Sequence, residues 1–275
     1  MKEFGMPRAI RTAVILSTLL ALSPLAKGQI VSLTDQNSLV QVDTGSSAGM
    51  FNWLVDGRDY LAQQWFWYRV GPVGPEASIH TISAPTITTP DARTLYTRYF
   101  NGAYGVEVDY RLTGFSPGSG LSHVDEVLTI TNGTAQPLDF HLFQYSDFDM
   151  GPGGDFVTLN KNIFGQFKGA LQTNALGNSF VESVVTPGAT HGEAHLFPIT
   201  LNRLNDGVAT TLDDTTSAGV GDVTWGFEWD LTIDPFSSVG ISKIKDLSVP
   251  EPTVAVLLPV GAVILAWRRR NQTKK

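Results

Sequence analysis

Val223, Trp225, Phe227, Trp229, Leu231 and Ile233 alternate with Thr224, Gly226, Glu228, Asp230 and Thr232. Successive side chains of a strand leave opposite faces, so this run sets six apolar groups on one side and none on the other. It predicts a half-buried antiparallel strand with one face on a core and one in water. Val106 to Leu112 alternates in the same way, and 124–131 and 139–145 are two more strand-like runs. Asn132-Gly133 opens a six-residue connection between those two runs, also holding Pro137, which predicts a hairpin with a wide loop. Further strands are expected near 38–42, 50–55, 65–70, 156–159, 180–185 and 195–199, and only 163–171 suggests a short helix. Gly-Pro and Pro-Gly pairs punctuate the chain at 71–72, 74–75, 117–118, 151–154 and 187–188. Many short strands and frequent turns point to an all-β fold: an antiparallel β-sandwich, jelly-roll or supersandwich-like, forming one domain over residues 29–248.

Composition removes several function classes. The chain has no cysteine, which excludes a disulfide scaffold, a zinc ribbon and a thiol nucleophile. Its 15 Phe, 7 Tyr and 6 Trp supply enough buriable surface to exclude intrinsic disorder. Nine of the 19 Lys and Arg, but only two of the 26 Asp and Glu, lie in residues 1–28 and 249–275. The body between keeps ten basic and 24 acidic residues, a net charge of −14. Such a surface repels phosphate backbones, so no nucleic-acid partner is expected.

The two ends read as addresses. Lys2, Arg8 and Arg11 precede a largely apolar run at 13–22, Pro24 breaks it, and Ala26 and Gly28 place small residues at −3 and −1 of a cleavage before Gln29. This order predicts a signal peptide over 1–28, removed by signal peptidase. At the other end, Val249-Pro250-Glu251-Pro252 precedes the apolar stretch 253–267 and then Arg268, Arg269 and Arg270. Fifteen residues make about 22 Å of helix, a short transmembrane span that flanking arginines can accommodate. Its arginines and the tail 271–275 are expected on the cytoplasmic side.

The ordered set at residues 249–270 resembles the PEP-CTERM sorting signal of Gram-negative bacteria. The resemblance covers under a tenth of the chain and leaves the family of the body open. It implies processing by an exosortase, with Glu251 as the recognised side chain. It also implies an inner-membrane-anchored precursor with its body in the periplasm, then a place at the cell surface or in the extracellular matrix, with exopolysaccharide and biofilm as the setting. Physically, two prolines around one carboxylate hold an extended segment that a protease can engage.

Within the body, Asp147, Asp149 and Asp155 flank a glycine-rich turn, a donor set suited to calcium, although the spacing matches no calcium loop motif. The competing reading is an acidic loop kept soluble by its charges. His191-Gly-Glu193-Ala-His195 would share one strand face, without a clear further metal ligand. Asp125 and Glu126 fall on opposite faces and cannot pair as glycosidase carboxylates. In Trp65-Phe66-Trp67-Tyr68 alternation sends the tryptophans one way and Phe66 and Tyr68 the other, leaving open two-sided burial or a sugar-stacking surface. No nucleophile elbow, phosphate-binding loop or dinucleotide fingerprint occurs. The expectation is therefore a non-enzymatic envelope or matrix protein with no cofactor beyond calcium. The alternative is a carbohydrate-binding module or a carbohydrate-active enzyme, since the architecture looks loosely like secreted bacterial β-sandwiches associated with carbohydrates.

Overall fold

The computed structural model describes residues 29–249. The first of two sheets runs, in spatial order, β1 (Ile30–Asp35), β2 (Ser38–Asp43), β3 (Gly49–Val55), β5 (Leu61–Val70), β11 (Leu138–Phe148), β17 (Val223–Ile233) and β15 (His191–Leu196). Two-residue strands add to it, β4 (Arg58–Asp59) beside β3 and β6 (Ala77–Ser78) beside β5. The second sheet runs β16 (Ser217–Gly221), β12 (Asp155–Lys161), β13 (Phe167–Asn174), β14 (Ser179–Thr186), β18 (Ser238–Ser248), β10 (Leu121–Asn132), β9 (Tyr104–Gly114), β8 (Thr94–Phe100) and β7 (Thr86–Asp91). Pairing is antiparallel except for a short parallel contact between β3 and β5. The fold is all-β, built from two antiparallel sheets. Among the described residues the one α-helix, α1 (Ile199–Arg203), lies in the link from β15 to β16. Among the described residues no helix is long and apolar enough to cross a membrane. The expected signal peptide, and the sorting and stop-transfer residues from Pro250 onward, lie outside the described residues.

The alternation of β17 sends Trp225, Phe227 and Trp229 toward the second sheet, all buried. Aromatic rings close the space between sheets: Phe148 stacks on Phe180 at 3.8 Å, and both lie 5.6 Å from Trp225. Within this apolar layer sits a charged cluster. Glu126 and Lys245 are each 0% exposed, and Lys243 and Glu182 are each 1% exposed. Glu126 pairs with both lysines, Glu182 lies 3.7 Å from Lys243, and Gln144 reaches across from the first sheet to Lys243 and Glu182. Trp225 Nε1 donates to Glu182 at 3.3 Å, and the Lys243 ammonium lies 4.6 Å from the Phe66 ring centroid. Burial would raise the Glu126 carboxyl, but the two lysines hold it below its usual range; burial pulls Lys243 down.

Four local expectations need correction. The connection after Asn132 is an arch and not a hairpin, since β10 pairs with β9 and β18 while β11 pairs with β5 and β17. Asn132 explains the arch: its buried amide donates to the Gln136, Ile233 and Asp234 carbonyls, and its Oδ1 accepts from Thr134. The expected wet face of β17 is dry over its first half, because Thr224, Gly226 and Glu228 are covered by the segment 197–216. Residues 163–171 form a turn and the start of β13, and the strand expected at 195–199 lies earlier, at His191–Leu196, with α1 following. The alternation of 65–68 holds, with Trp65, Phe66 and Trp67 all buried, so two-sided burial is the outcome.

Glu126→Gln and Lys243→Met are each expected to lower the unfolding free energy by about 3–5 kcal/mol, since each leaves an opposite charge unpaired in the core. The double variant should recover part of that loss. Urea denaturation of the four proteins in the cycle measures the coupling, and strictly additive losses would contradict it.

Candidate functional site

The segment 197–216 lies along the outer face of the first sheet and is tied down by polar contacts. Glu228 Oε2 accepts the Leu212 N–H at 2.8 Å. Arg69 pairs with Glu76 and donates to the Thr210 carbonyl at 2.8 Å, while Glu76 accepts the Thr210 N–H at 2.9 Å. Glu193 pairs with Arg203, and His195 Nε2 meets Asp213 at 2.8 Å. Gly226 permits this cover: a Cβ there would stand 3.2 Å from Thr200 and 3.3 Å from Leu212. His191, Glu193 and His195 do share one face of β15, as expected, and they hold the strap.

Beyond the strap the same face opens into a cleft of about 580 Å³. Asp147 and Phe148 come from the end of β11, Gln63 from β5, Phe197 and Leu201 from the strap, and Asp222 from the link before β17. The glycine-rich turn 149–154 forms the rim. Gly151, Gly153 and Gly154 all have positive φ (112°, 108° and 76°), a conformation that side-chain-bearing residues rarely adopt.

The three acidic residues flagged in sequence all line this cleft but do different work. Asp155 Oδ2 accepts from the Met150 N–H at 2.9 Å and Gln172 at 2.7 Å, and Asp149 Oδ1 accepts the Gly151 N–H at 2.9 Å. These two shape the turn. Asp147 is buried in the cleft wall and accepts only the Tyr145 hydroxyl, at 3.0 Å. Burial, with the charges of Asp222 and Asp149 adding to it, pushes its carboxyl up to about 6. The same burial raises Tyr145, which remains a hydrogen-bond donor throughout the neutral range.

Asp147, Asp149 and Asp155 do not bring three ligand atoms within 4.8 Å of one another; among the described residues His141–Glu228–Asp230 and Glu193–His195–Asp213 do. Asp125 and Glu126 point to opposite sides of β10, as expected. Sequence reasoning missed Gln63, Phe197, Leu201 and Asp222, which three distant segments bring to the cleft. It also read Glu228 only as a residue on a wet face.

A carboxyl poised near pH 6 can give or take a proton at neutral pH, and a cleft of this volume falls in the range of small-molecule sites. An apolar wall beside several carboxylates suits a polyhydroxylated ligand with nonpolar C–H faces.

No family model matches the chain, and no curated protein matches it in sequence. Solved structures do share the fold. A galactose mutarotase-like protein from Lactobacillus casei ATCC 334 superposes with a TM-score of 0.52 at 7% identity, covering 80% of this chain and 100% of that one. A candidate aldose 1-epimerase from Escherichia coli K12 gives 0.51 at 10% identity, over 80% and 98%. A bacterial glucoamylase complexed with acarbose gives 0.52 at 7% identity, over 86% of this chain but 37% of the other. At these identities the likeness is one of fold. The expectation of a non-enzymatic envelope or matrix protein rested on missing motifs, and it is overturned. The fold is shared with proteins named for sugar chemistry, and the structure sets a buried carboxyl, raised to about 6, in a cleft where no sequence motif marks one.

Asp147→Asn should stabilise the protein at pH 7.5 by about 1–3 kcal/mol. The raised carboxyl favours the folded state fully below about pH 4, and that contribution fades as pH rises through about 6. Unfolding free energies from pH 3.5 to 7.5 should therefore fall less steeply in the variant. Parallel profiles would show that Asp147 is not perturbed.

Proposed function

We propose that residues 29–249 form a carbohydrate-active enzyme domain that performs acid–base chemistry at the anomeric centre of an aldose, with Asp147 as the proton-transferring group. The carrying observation is the buried Asp147 carboxyl, raised to about 6, in the wall of a cleft of about 580 Å³. The likeness to a galactose mutarotase-like protein and a candidate aldose 1-epimerase supports the choice of substrate class. Interconverting anomers needs a proton removed from the O1 hydroxyl and one supplied to the ring oxygen. A group that titrates near neutrality can do either, while Tyr145 holds its orientation. Phe197 and Leu201 offer the apolar wall for a sugar's C–H face, and Gln63, Asp149 and Asp222 offer partners for its hydroxyls.

Polarimetry of freshly dissolved α-D-galactose and α-D-glucose tests this reading. The protein should accelerate the approach to anomeric equilibrium, and Asp147→Asn should lose about 10²–10⁴ of that acceleration. A rate equal to the buffer's, with saturable sugar binding by calorimetry, would replace the enzyme by a carbohydrate-binding module.

The proposal includes the addresses at the two ends: export through the signal peptide and sorting through Pro250-Glu251-Pro252 by an exosortase, with exopolysaccharide as the surrounding polymer. Glu251→Ala should leave an unprocessed, membrane-bound precursor in an exosortase-bearing host. Trimming and release like the parent would refute the sorting signal.

A further inference from the structure

Away from the cleft, toward the other end of β11 and β17, a second group of polar side chains converges on the outer face of the first sheet. His141 lies opposite Asp230 in the β11–β17 pairing, and His191 of β15 lies opposite Glu228. Ligand atoms of His141, Glu228 and Asp230 all come within 4.8 Å of one another. His141 Nδ1 contacts Asp230 and lies 3.9 Å from Glu228 Oε1, too far for a hydrogen bond. His191 Nε2 lies 3.8 Å from the other Asp230 oxygen.

Charge makes this group unusual. Glu228 is 1% exposed and one oxygen is taken by the Leu212 N–H, so the other is a buried carboxylate oxygen aimed into the cluster. Arg69, opposite His141 in the β5–β11 pairing, pairs with Glu76 and donates to the Thr210 carbonyl, and Lys161 lies 3.7 Å from Asp214. The Glu193–His195–Asp213 group differs, because Arg203 already occupies it.

We propose that His141, Glu228 and Asp230, with His191 beside them, form a binding site for one divalent transition metal of the zinc type. Imidazole nitrogen with carboxylate oxygen is the donor set of zinc, whereas calcium and magnesium take oxygen alone. A tetrahedral ion with ligands at about 2.0–2.1 Å holds its ligand atoms about 3.3 Å apart, so small rotamer changes complete the shell. Asp139 Oδ1 lies 3.5 Å from His141 Nε2, placed to hold the Nε2–H tautomer that frees Nδ1 for the metal. That Nε2 is buried and makes no hydrogen bond within the protein. Binding here is separate from the cleft and does not depend on the sugar reading.

Chelator-treated full chain titrated with ZnCl2 at pH 7 should bind one equivalent by calorimetry, and Co(II) should give the visible bands of a tetrahedral nitrogen–oxygen site. His141→Gln and Asp230→Asn should each weaken binding at least about tenfold, and Asp139→Asn by about 10–100-fold, while His195→Gln keeps it. Should a variant fail to fold, long-range 15N spectra of the unaltered protein decide: zinc should move the His141 imidazole signals and leave His123 in place. No saturable uptake would overturn the site. So would binding that survives His141→Gln and Asp230→Asn, or a zinc response confined to other histidines.

Discussion

The structure depends on a set of charges shut away from water. Glu126, Lys243, Lys245 and Glu182 sit between the sheets with almost no exposure and balance in sign. Ions in such a place cost several kcal/mol each to desolvate, so they are tolerable only when every one meets its partner. Glu126 and Lys243 are direct neighbours in the β10–β18 pairing, and Glu182 and Lys245 in the β14–β18 pairing. A slip by one residue would turn these groups to solvent and bring others in, so the cluster fixes the register of the second sheet. Gln144 reaches into it from β11, which fixes the first sheet against the second.

With β11 held from below, its upper face becomes a platform. At one end the strap 197–216 is tied across it through Arg69, Glu76, Glu193 and Glu228, and Leu204 and Leu212 are buried with it. At the other end Phe197 and Leu201 of the strap border the cleft that Asp147 lines. Site and scaffold are thus linked along one strand: Gln144 faces the ionic core, Tyr145 the outer side, and Asp147 the cleft. The Tyr145 hydroxyl orients the carboxyl, and burial, with nearby negative charge, sets its titration.

Much of the fold was legible because period two survives local disturbance. Val223 to Ile233 and Val106 to Leu112 turn inward the apolar faces that their alternation predicts. What failed depended on partners far along the chain. Alternation says which face is apolar but not what covers the other, so the strap over Thr224 and Glu228 was invisible. It does not say which strand pairs with which, so β10 and β11 read as a hairpin although they belong to different sheets. Lys243 and Lys245 point inward while Ile244 between them lies half-buried on the other side, the reverse of what hydropathy implies. The Asp147–Asp155 turn stood out as a cluster in sequence, yet sequence alone could not separate Asp149 and Asp155, which shape the turn, from Asp147, which accepts only from Tyr145. Phe197, Leu201 and Asp222 carry no pattern that marks them as its neighbours.

On the function proposed, the fold makes Asp147 a neutral-range acid facing a sugar-sized cleft. Carbon-detected NMR of the side-chain carboxyls, titrated from pH 3 to 9 with and without D-galactose, tests it most directly. The Asp147 signal should titrate near 6, well above an ordinary aspartate, and its midpoint or shift should change when sugar is added. A midpoint near 4 that sugar leaves untouched would contradict it.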